Sequence, residues 1–359
     1  MKIGIDARMI ESSGIGTYIK NLVCLLPKIS RDEYVLFGSR SKLEKYNLPV
    51  IEADFPIYGV KEQIFFPRII KKEKLDLFHA THYTIPVMYF GKMVVSVHDL
   101  IHLVYPEYLS SKPAYYYAKF MMATACRKAK KIITISENTK KDIIKYFHIE
   151  PSKIEITYPA VSDDFNPSQA KSEIMKKKYG EYILYVGAIR PHKNILRLLD
   201  AFNKLKKEKK IKHKLILVGK GKIPYIYDVR KKISDFSLAN EVLIMEEIEQ
   251  DKLIDFYCGA DLFVFPSLYE GFGLPPLEAM ACGCPVVCSN NSSLPEVVGD
   301  AALLVNPYNV NEITDAIYKI LTNEKLKNNL VKKGFERAKM FSWKKMTEET
   351  LKIYEKVLK

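Results

Sequence analysis

No apolar run in the 359 residues approaches the ~20 residues that a membrane-spanning helix requires. The opening, MKIGIDARMI, sets an aspartate and an arginine within its first eight positions, which breaks the apolar core of a secretory signal. A cytoplasmic protein is therefore expected. The six cysteines agree with that compartment. Cys24, Cys126 and Cys258 are scattered, while Cys282, Cys284 and Cys288 share an apolar run with no nearby histidine. Zinc sites favour matched C-x2-4-C pairs, so no metal is expected, and the clustered thiols read as small buried hydrophobes. No arginine-rich or RNP-like motif is present, so no nucleic acid partner is expected. Intrinsic disorder is excluded by 48% hydrophobic against 27% charged residues.

What the chain does carry is a formal net charge of +14. Such a field draws anions such as nucleotide phosphates or an acidic membrane surface. Much of the excess lies in lysine-rich helical stretches, 171–178 and 204–214, which read as solvated faces.

The pattern alternates β-rich runs with helices. KIGIDA (2–7), YVLFG (34–38), LDLFHA (75–80), MVVSVHD (93–99) and KIITIS (131–136) lie in the first half. YILYVGA (182–188), KLILVG (214–219), EVLIM (241–245), LFVFP (262–266), PVVCS (285–289) and AALLV (301–305) lie in the second. Continuous apolar strands divided by helices imply parallel sheets buried on both faces. The length suits two domains. The expected fold is α/β, two doubly wound Rossmann-like domains facing across a cleft. YPAVSDDFNPS (158–168) marks the boundary, set at 163/164. Ligands in such sheets bind beyond the carboxyl ends of the strands. Glycine or polar residues follow five strand ends: Gly14 and Gly16, His98 and Asp99, Gly187 to Lys193, Gly219 to Gly221, and Ser267 to Gly273.

In GFGLPP (271–276) the glycines permit close backbone approach and the prolines suit a helix start. Gly271, Phe272, Gly273 and Leu274 then lie at a helix N-terminus, where free N–H groups favour a phosphate. Glu278 is expected in the first turn of that helix, where its two acceptor oxygens suit a ribose diol; a dipole-stabilising surface acid is the alternative. In VGAIRPHKN (186–194), Lys193 is expected at the start of a helix beginning near Asn194. A cation there opposes the helix dipole unless an anion intervenes, which points to phosphate binding, with Arg190 assisting. SGIGTY (13–18) is a glycine turn entering a helix, an incomplete phosphate fingerprint that still admits a ligand close to the backbone. VSVHDLIH (95–102) resembles the zinc pattern H-E-x-x-H, but a β-rich run leads straight to His98, so His98 and His102 need not share a face; His98 reads as a cleft residue, His79 and His82 more weakly so. Glu270 and Glu278 as a hydrolase pair would leave the helix start and Lys193 without a purpose. Residues 105–131 combine tyrosines, methionines and a basic end, which suits a membrane interface or an ordinary amphipathic helix.

VGAIRPHKN, the E-x7-E spacing of Glu270 and Glu278, CGCPVVCSN and LPEVVGDAALLVNP together resemble the retaining glycosyltransferases of family four, with the GT-B fold. SGIGTYIKNL, VSVHDL and TISENTKKDI resemble the first domain of that family, and FSWKKMTEETLKIYEKVL its closing helix. The resemblance implies an acceptor-binding domain over 1–163, a nucleotide-sugar domain over 164–340 and a helix over 341–359 that returns to the first domain. It implies that Lys193 neutralises the diphosphate leaving group and that Gly271–Leu274 offer N–H groups to phosphate or sugar. Glu278 would hold the ribose, Glu270 would contact the transferred sugar, and His98 would approach it from the first domain. Gly14 and Gly16 would line the cleft. No cofactor and no metal are implied, because fixed donors and cations meet the leaving-group charge. Retention of anomeric configuration by front-face substitution is implied likewise. The family's usual arginine after the strand-end glycine is Ala188 here, with Arg190 the nearest substitute. SGIGTYIKNL with VHDLIHLVYPEYL resembles mannosyltransferases of bacterial polysaccharide pathways. GDP-mannose is the expected donor, a UDP- or dTDP-sugar the alternative. The acceptor is expected to be a glycan or lipid-linked, and the protein to sit peripherally at the inner face of an anionic cell membrane.

Overall fold

Short runs rich in isoleucine, leucine, valine and aromatics become strands, none longer than six residues among the described residues. The computed structural model describes residues 1–109, 111–246 and 248–359, and of Gln250 and Asp251 the backbone alone. The chain divides into two units, one of Met1–Pro159 with Ser342–Lys359, the other of Ala160–Phe341.

The first unit holds β1 (Lys2–Asp6), β2 (Glu33–Gly38), β3 (Val50–Glu52), β4 (Leu77–Ala80), β5 (Met93–Val97), β6 (Lys131–Thr134) and β7 (Ile154–Ile156). They form one sheet in the order β3-β2-β1-β4-β5-β6-β7, every pair parallel. The second holds β8 (Tyr182–Val186), β9 (Lys214–Val218), β10 (Val242–Met245), β11 (Leu262–Phe265), β12 (Val286–Ser289) and β13 (Ala302–Val305), in the order β10-β9-β8-β11-β12-β13, again all parallel. Both are doubly wound α/β sheets. The strand order reverses between β1 and β4 in one and between β8 and β11 in the other, which opens a crevice at the carboxyl ends of those strands.

Central strands are almost wholly buried because helices cover both faces; all five residues of β8 are buried. In the first unit, helices Val60–Lys72 and Lys112–Lys128 bury Phe66, Ile70, Met121 and Met122 in a single cluster with Phe37, Phe78 and Val95. Phe37, Phe66 and Phe78 meet edge to face at 5.8 Å. Helix Ser13–Ile29 packs along helix Trp343–Leu358. A buried polar chain ties these two helices to the sheet. Tyr354 Oη lies 2.6 Å from His79 Nδ1, His79 Nε2 lies 2.8 Å from Ser96 Oγ, and Ser96 Oγ lies 3.2 Å from Tyr18 Oη.

Every strand expected from the sequence is present, a little shorter at its ends except β2, which starts one residue earlier. The two that were not expected, β3 and β7, are three-residue edge strands. Cys282, Cys284 and Cys288 are buried free thiols, as expected. Among the described residues no helix is long and apolar enough to cross a membrane.

Candidate functional site

At the second reversal point, β8 leads into Gly187–Arg190 and a single 3-10 turn, Pro191–Lys193. Asn194 ends that turn in the left-handed conformation (φ 63°) and caps helix Ile195–Lys204. Its buried side chain donates to the carbonyl oxygens of Pro266 (3.0 Å) and Pro307 (2.7 Å). The amide of Leu268 donates to the His192 carbonyl at 2.7 Å. The turn after β8 is thereby laced to the loop after β11, and Lys193 is held where that loop carries Glu270.

The result is an ion pair across the crevice. Lys193 Nζ lies 2.5 Å from Glu270 Oε1, with 15% and 13% of the two side chains exposed. Ser267 Oγ donates to the same carboxylate oxygen. The lysine also lies 5.2 Å from the centre of the Phe265 ring. Lys193 was placed beside a phosphate because a cation at a helix start needs an anion. Glu270 already supplies that anion, so the dipole argument alone no longer requires a ligand. What remains is its place: a mostly buried cation at the reversal point, where doubly wound sheets take their ligands.

The loop 267–273 is anchored through its carbonyls. Asn291 Nδ2 donates to Leu268 O at 2.8 Å, and Ser293 Oγ donates to Glu270 O at 3.0 Å and to Phe272 O at 2.6 Å. The Glu270 amide donates to Ser292 Oγ at 3.1 Å. Phe272 is buried edge-on to Phe341 at 5.5 Å, so only its backbone can meet a ligand. Gly273 (φ 117°) turns the chain into helix Leu274–Ala281, and a Cβ there would come 2.7 Å from Leu294 Cδ2. Pro275 and Pro276 follow Leu274 at the helix start and carry no N–H, so the amides at this helix start are those of Gly271–Leu274.

Glu278 lies in the second turn of this helix, not the first, because the helix begins at Leu274. Its half-buried carboxylate accepts a hydrogen bond from Tyr257 Oη at 2.8 Å. Burial raises the carboxyl to about 7, and the tyrosine donor opposes the rise. Arg190 is exposed.

In the first unit His98 follows β5 and is buried. Its Nε2 lies 2.8 Å from the Thr81 carbonyl oxygen, which can only accept, so Nε2 carries the proton and Nδ1 is the acceptor. Burial lowers its pKa, against the pull of the Thr81 carbonyl and of Asp99, which favours the neutral ring. Tyr18 packs edge-on at 5.0 Å. His79 is no cleft residue: it sits wholly inside, and burial takes its pKa down to about 3. His82 is buried against Tyr83. Gly16 does not free space for a ligand, because a Cβ there would stand 2.4 Å from the Ile10 carbonyl oxygen; its bareness serves the chain's own packing. Gly14, by contrast, is exposed with open space around its Cβ position.

The structure thus joins Lys193, Glu270 and the Gly271–Leu274 loop within one unit. Ser267, Asn291, Ser292, Ser293 and Tyr257 complete the arrangement and were not singled out individually from the sequence. The polar run SNNSS (289–293) at the end of β12 was a legible signal; Tyr257, alone on helix Gln250–Gly259, had none.

Two family models match the chain: Glycosyltransferase Family 4 over residues 12–165 and Glycosyl transferases group 1 over residues 167–337. O-antigen chain mannosyltransferase B of Escherichia coli is 34% identical over 285 residues, covering 77% of this chain and 74% of the relative. The serotype-specific mannosyltransferase WbdA of Escherichia coli is 32% identical over 275 residues, 74% of this chain, which spans 34% of that longer protein. Among solved structures, Anabaena Alr3699/HepE in complex with UDP and glucose superposes with a TM-score of 0.80 over 99% of both chains at 19% identity.

Proposed function

We propose a mannosyl transfer for this chain, which belongs to glycosyltransferase family 4 and is a nucleotide-sugar-dependent glycosyltransferase. The proposed reaction moves mannose from GDP-mannose, with retained configuration, to a glycan or lipid-linked acceptor in polysaccharide synthesis. The mannosyltransferase relatives support the sugar. The Lys193–Glu270 pair at the β8/β11 reversal point is the observation that carries the site.

The diphosphate of the donor enters beside Lys193 and competes with Glu270 for the ammonium. As the glycosidic bond to phosphate breaks, negative charge grows on the leaving oxygen, and a fixed cation in a water-poor crevice lowers the barrier. Amides of Gly271–Leu274 share that charge, so no metal is required. Glu270, held by Ser267, turns its carboxylate to hydroxyls of the sugar being transferred. The Glu278 carboxylate accepts from the ribose hydroxyls, with Tyr257 holding it in place. His98, neutral with Nδ1 as acceptor, takes a hydroxyl of the sugar. Glu270 as a hydrolytic nucleophile is disfavoured, since a lysine and a serine on one oxygen blunt its nucleophilicity.

A thermal-shift panel of GDP, UDP and dTDP, followed by transfer assays with the matching mannosyl and glucosyl donors, tests the reading. Stabilisation by GDP and transfer from GDP-mannose are expected. A shift with UDP or dTDP alone would replace the donor, and no shift with any nucleotide at millimolar concentration would overturn the site.

A further inference from the structure

Two helices of the second unit meet at the residues proposed for the ribose. Helix Gln250–Gly259 carries Tyr257, helix Leu274–Ala281 carries Glu278, and their side chains bond at 2.8 Å. Each helix also ends in a thiol. Cys258 follows Tyr257, and Cys282 is the C-cap of the other helix, its amide donating to the Glu278 carbonyl at 3.1 Å. Distant in the sequence, the two cysteines meet side chain to side chain, the Cys282 thiol donating to the Cys258 sulfur.

The pair is unequal. Cys282 is buried, whereas Cys258 is half-buried and lies against the start of helix Gln169–Tyr179. The Cys258 thiol donates to Asn166 O at 3.5 Å, and the amide of Ser168, the N-cap residue, donates to its sulfur. Lys171, in the first turn, pairs with Asp255 at 2.8 Å. The Cys282 hydrogen bond, the Ser168 amide and Lys171 outweigh burial and Asp255, and hold Cys258 below the ordinary thiol range. The same hydrogen bond, with burial, raises Cys282. One thiol is thus a poised nucleophile and the other its resolving partner. Burial instead raises Cys126, Cys284 and Cys288.

We propose that Cys258 and Cys282 form a reversible oxidation site that takes a hydroperoxide and, once bridged, weakens nucleoside diphosphate binding. The Cys258 thiolate attacks one peroxide oxygen, the O–O bond breaks, and the other oxygen leaves as water, giving a sulfenic acid. The Cys282 sulfur then attacks Cys258. Its proton departs with the sulfenic hydroxyl as a second water, and the S–S bond closes. The two sulfurs lose two electrons and the peroxide is reduced to water. A dithiol reverses the bridge by exchange. An S–S bond of about 2.05 Å is shorter than any hydrogen-bonded separation of two sulfurs, so closure draws the ends of the two helices together. The Tyr257–Glu278 bond spans the same helices and is displaced with them. The effect on nucleotide rests on the ribose reading of Glu278; the thiol chemistry does not.

The test uses the full chain with Cys24→Ser, which removes the exposed thiol. Hydrogen peroxide is added, remaining thiols are alkylated with N-ethylmaleimide in denaturant, and intact mass and a non-reducing peptide map are read. Two fewer thiols should take the label, the peptides of Cys258 and Cys282 should be joined, and dithiothreitol should restore both. Cys258→Ser should form no bridge. Cys282→Ala should stop at a sulfenic acid on Cys258 that dimedone captures. GDP affinity should fall about tenfold in the bridged protein and return on reduction, while Cys258→Ser binds GDP like the reduced protein and ignores peroxide. No bridge, or a bridge between another pair, would overturn the site. Bridged protein with unchanged GDP affinity would overturn the effect on binding. A reduced protein that binds no nucleotide would count against the transferase reading alone, and the mass and peptide readouts would still decide the site.

Discussion

Replacing Lys193 by methionine keeps an unbranched stem of nearly the same length and removes the charge, so it isolates what the ammonium does. In the free protein that charge sits 2.5 Å from Glu270, both groups mostly buried. Losing it leaves the carboxylate with the Ser267 hydroxyl as its remaining side-chain donor, a cost of about 1–3 kcal/mol. For a unit of this size that lowers the melting temperature by roughly 2–10 °C, and the fold survives. The effect on rate is larger. A fixed group aimed at charge that develops only in the transition state is worth about 3–4 kcal/mol, a fall in kcat of roughly a hundred- to a thousandfold. Steady-state rates at saturating donor separate this from weaker binding, because a group acting on the leaving oxygen changes kcat beyond any change in KM. Lys193→Arg should restore part of the rate. The double variant Lys193→Met with Glu270→Gln should recover donor affinity, since the bare carboxylate no longer repels the diphosphate, without recovering kcat. A Lys193→Met enzyme that turns over within about threefold of wild type would refute the reasoning.

Two further outcomes follow from the same geometry. The Glu278 carboxyl is raised from 4.5 to about 7; its neutral form therefore favours the free fold below pH 4.5, and that contribution, about 3 kcal/mol at most, is lost as pH rises to 7. Ribose hydroxyls need the ionised form, so nucleoside diphosphate affinity measured by calorimetry should strengthen as pH rises through about 7 and flatten in Glu278→Gln, while a wild-type profile identical to that of the variant would sink the ribose role. Tyr257→Phe removes the donor that opposes the rise, so the midpoint of the profile should move upward; a downward move would contradict the assignment. At the start of helix Ser13–Ile29, Gly16→Ala should destabilise by about 1–3 kcal/mol because its Cβ meets Ile10 O, whereas Gly14→Ala should be neutral or slightly stabilising. Equal melting temperatures for the two would mean that the helix start relaxes.

The strands were readable because burial on both sheet faces leaves an unbroken apolar run of strand length, as in YILYV and LFVFP, recurring between helical patterns. The edge strands β3 and β7 escaped notice because an edge needs no such run: VIE and IEI each carry a glutamate in three residues. The site divides along the same line. Lys193 and Glu270 were legible as chemistry at strand ends, since a doubly wound sheet puts its ligand there whatever the loops do. Their partnership was not legible, because it depends on Asn194 adopting a left-handed conformation and joining Pro266 to Pro307, a tertiary event with no local pattern. Glu278 shows the cost of a boundary error. Expecting it in the first turn put the acid next to the dipole and to solvent, whereas in the helix that begins at Leu274 it is the fifth residue. Further along the helix it meets Tyr257, and burial raises its carboxyl to about 7.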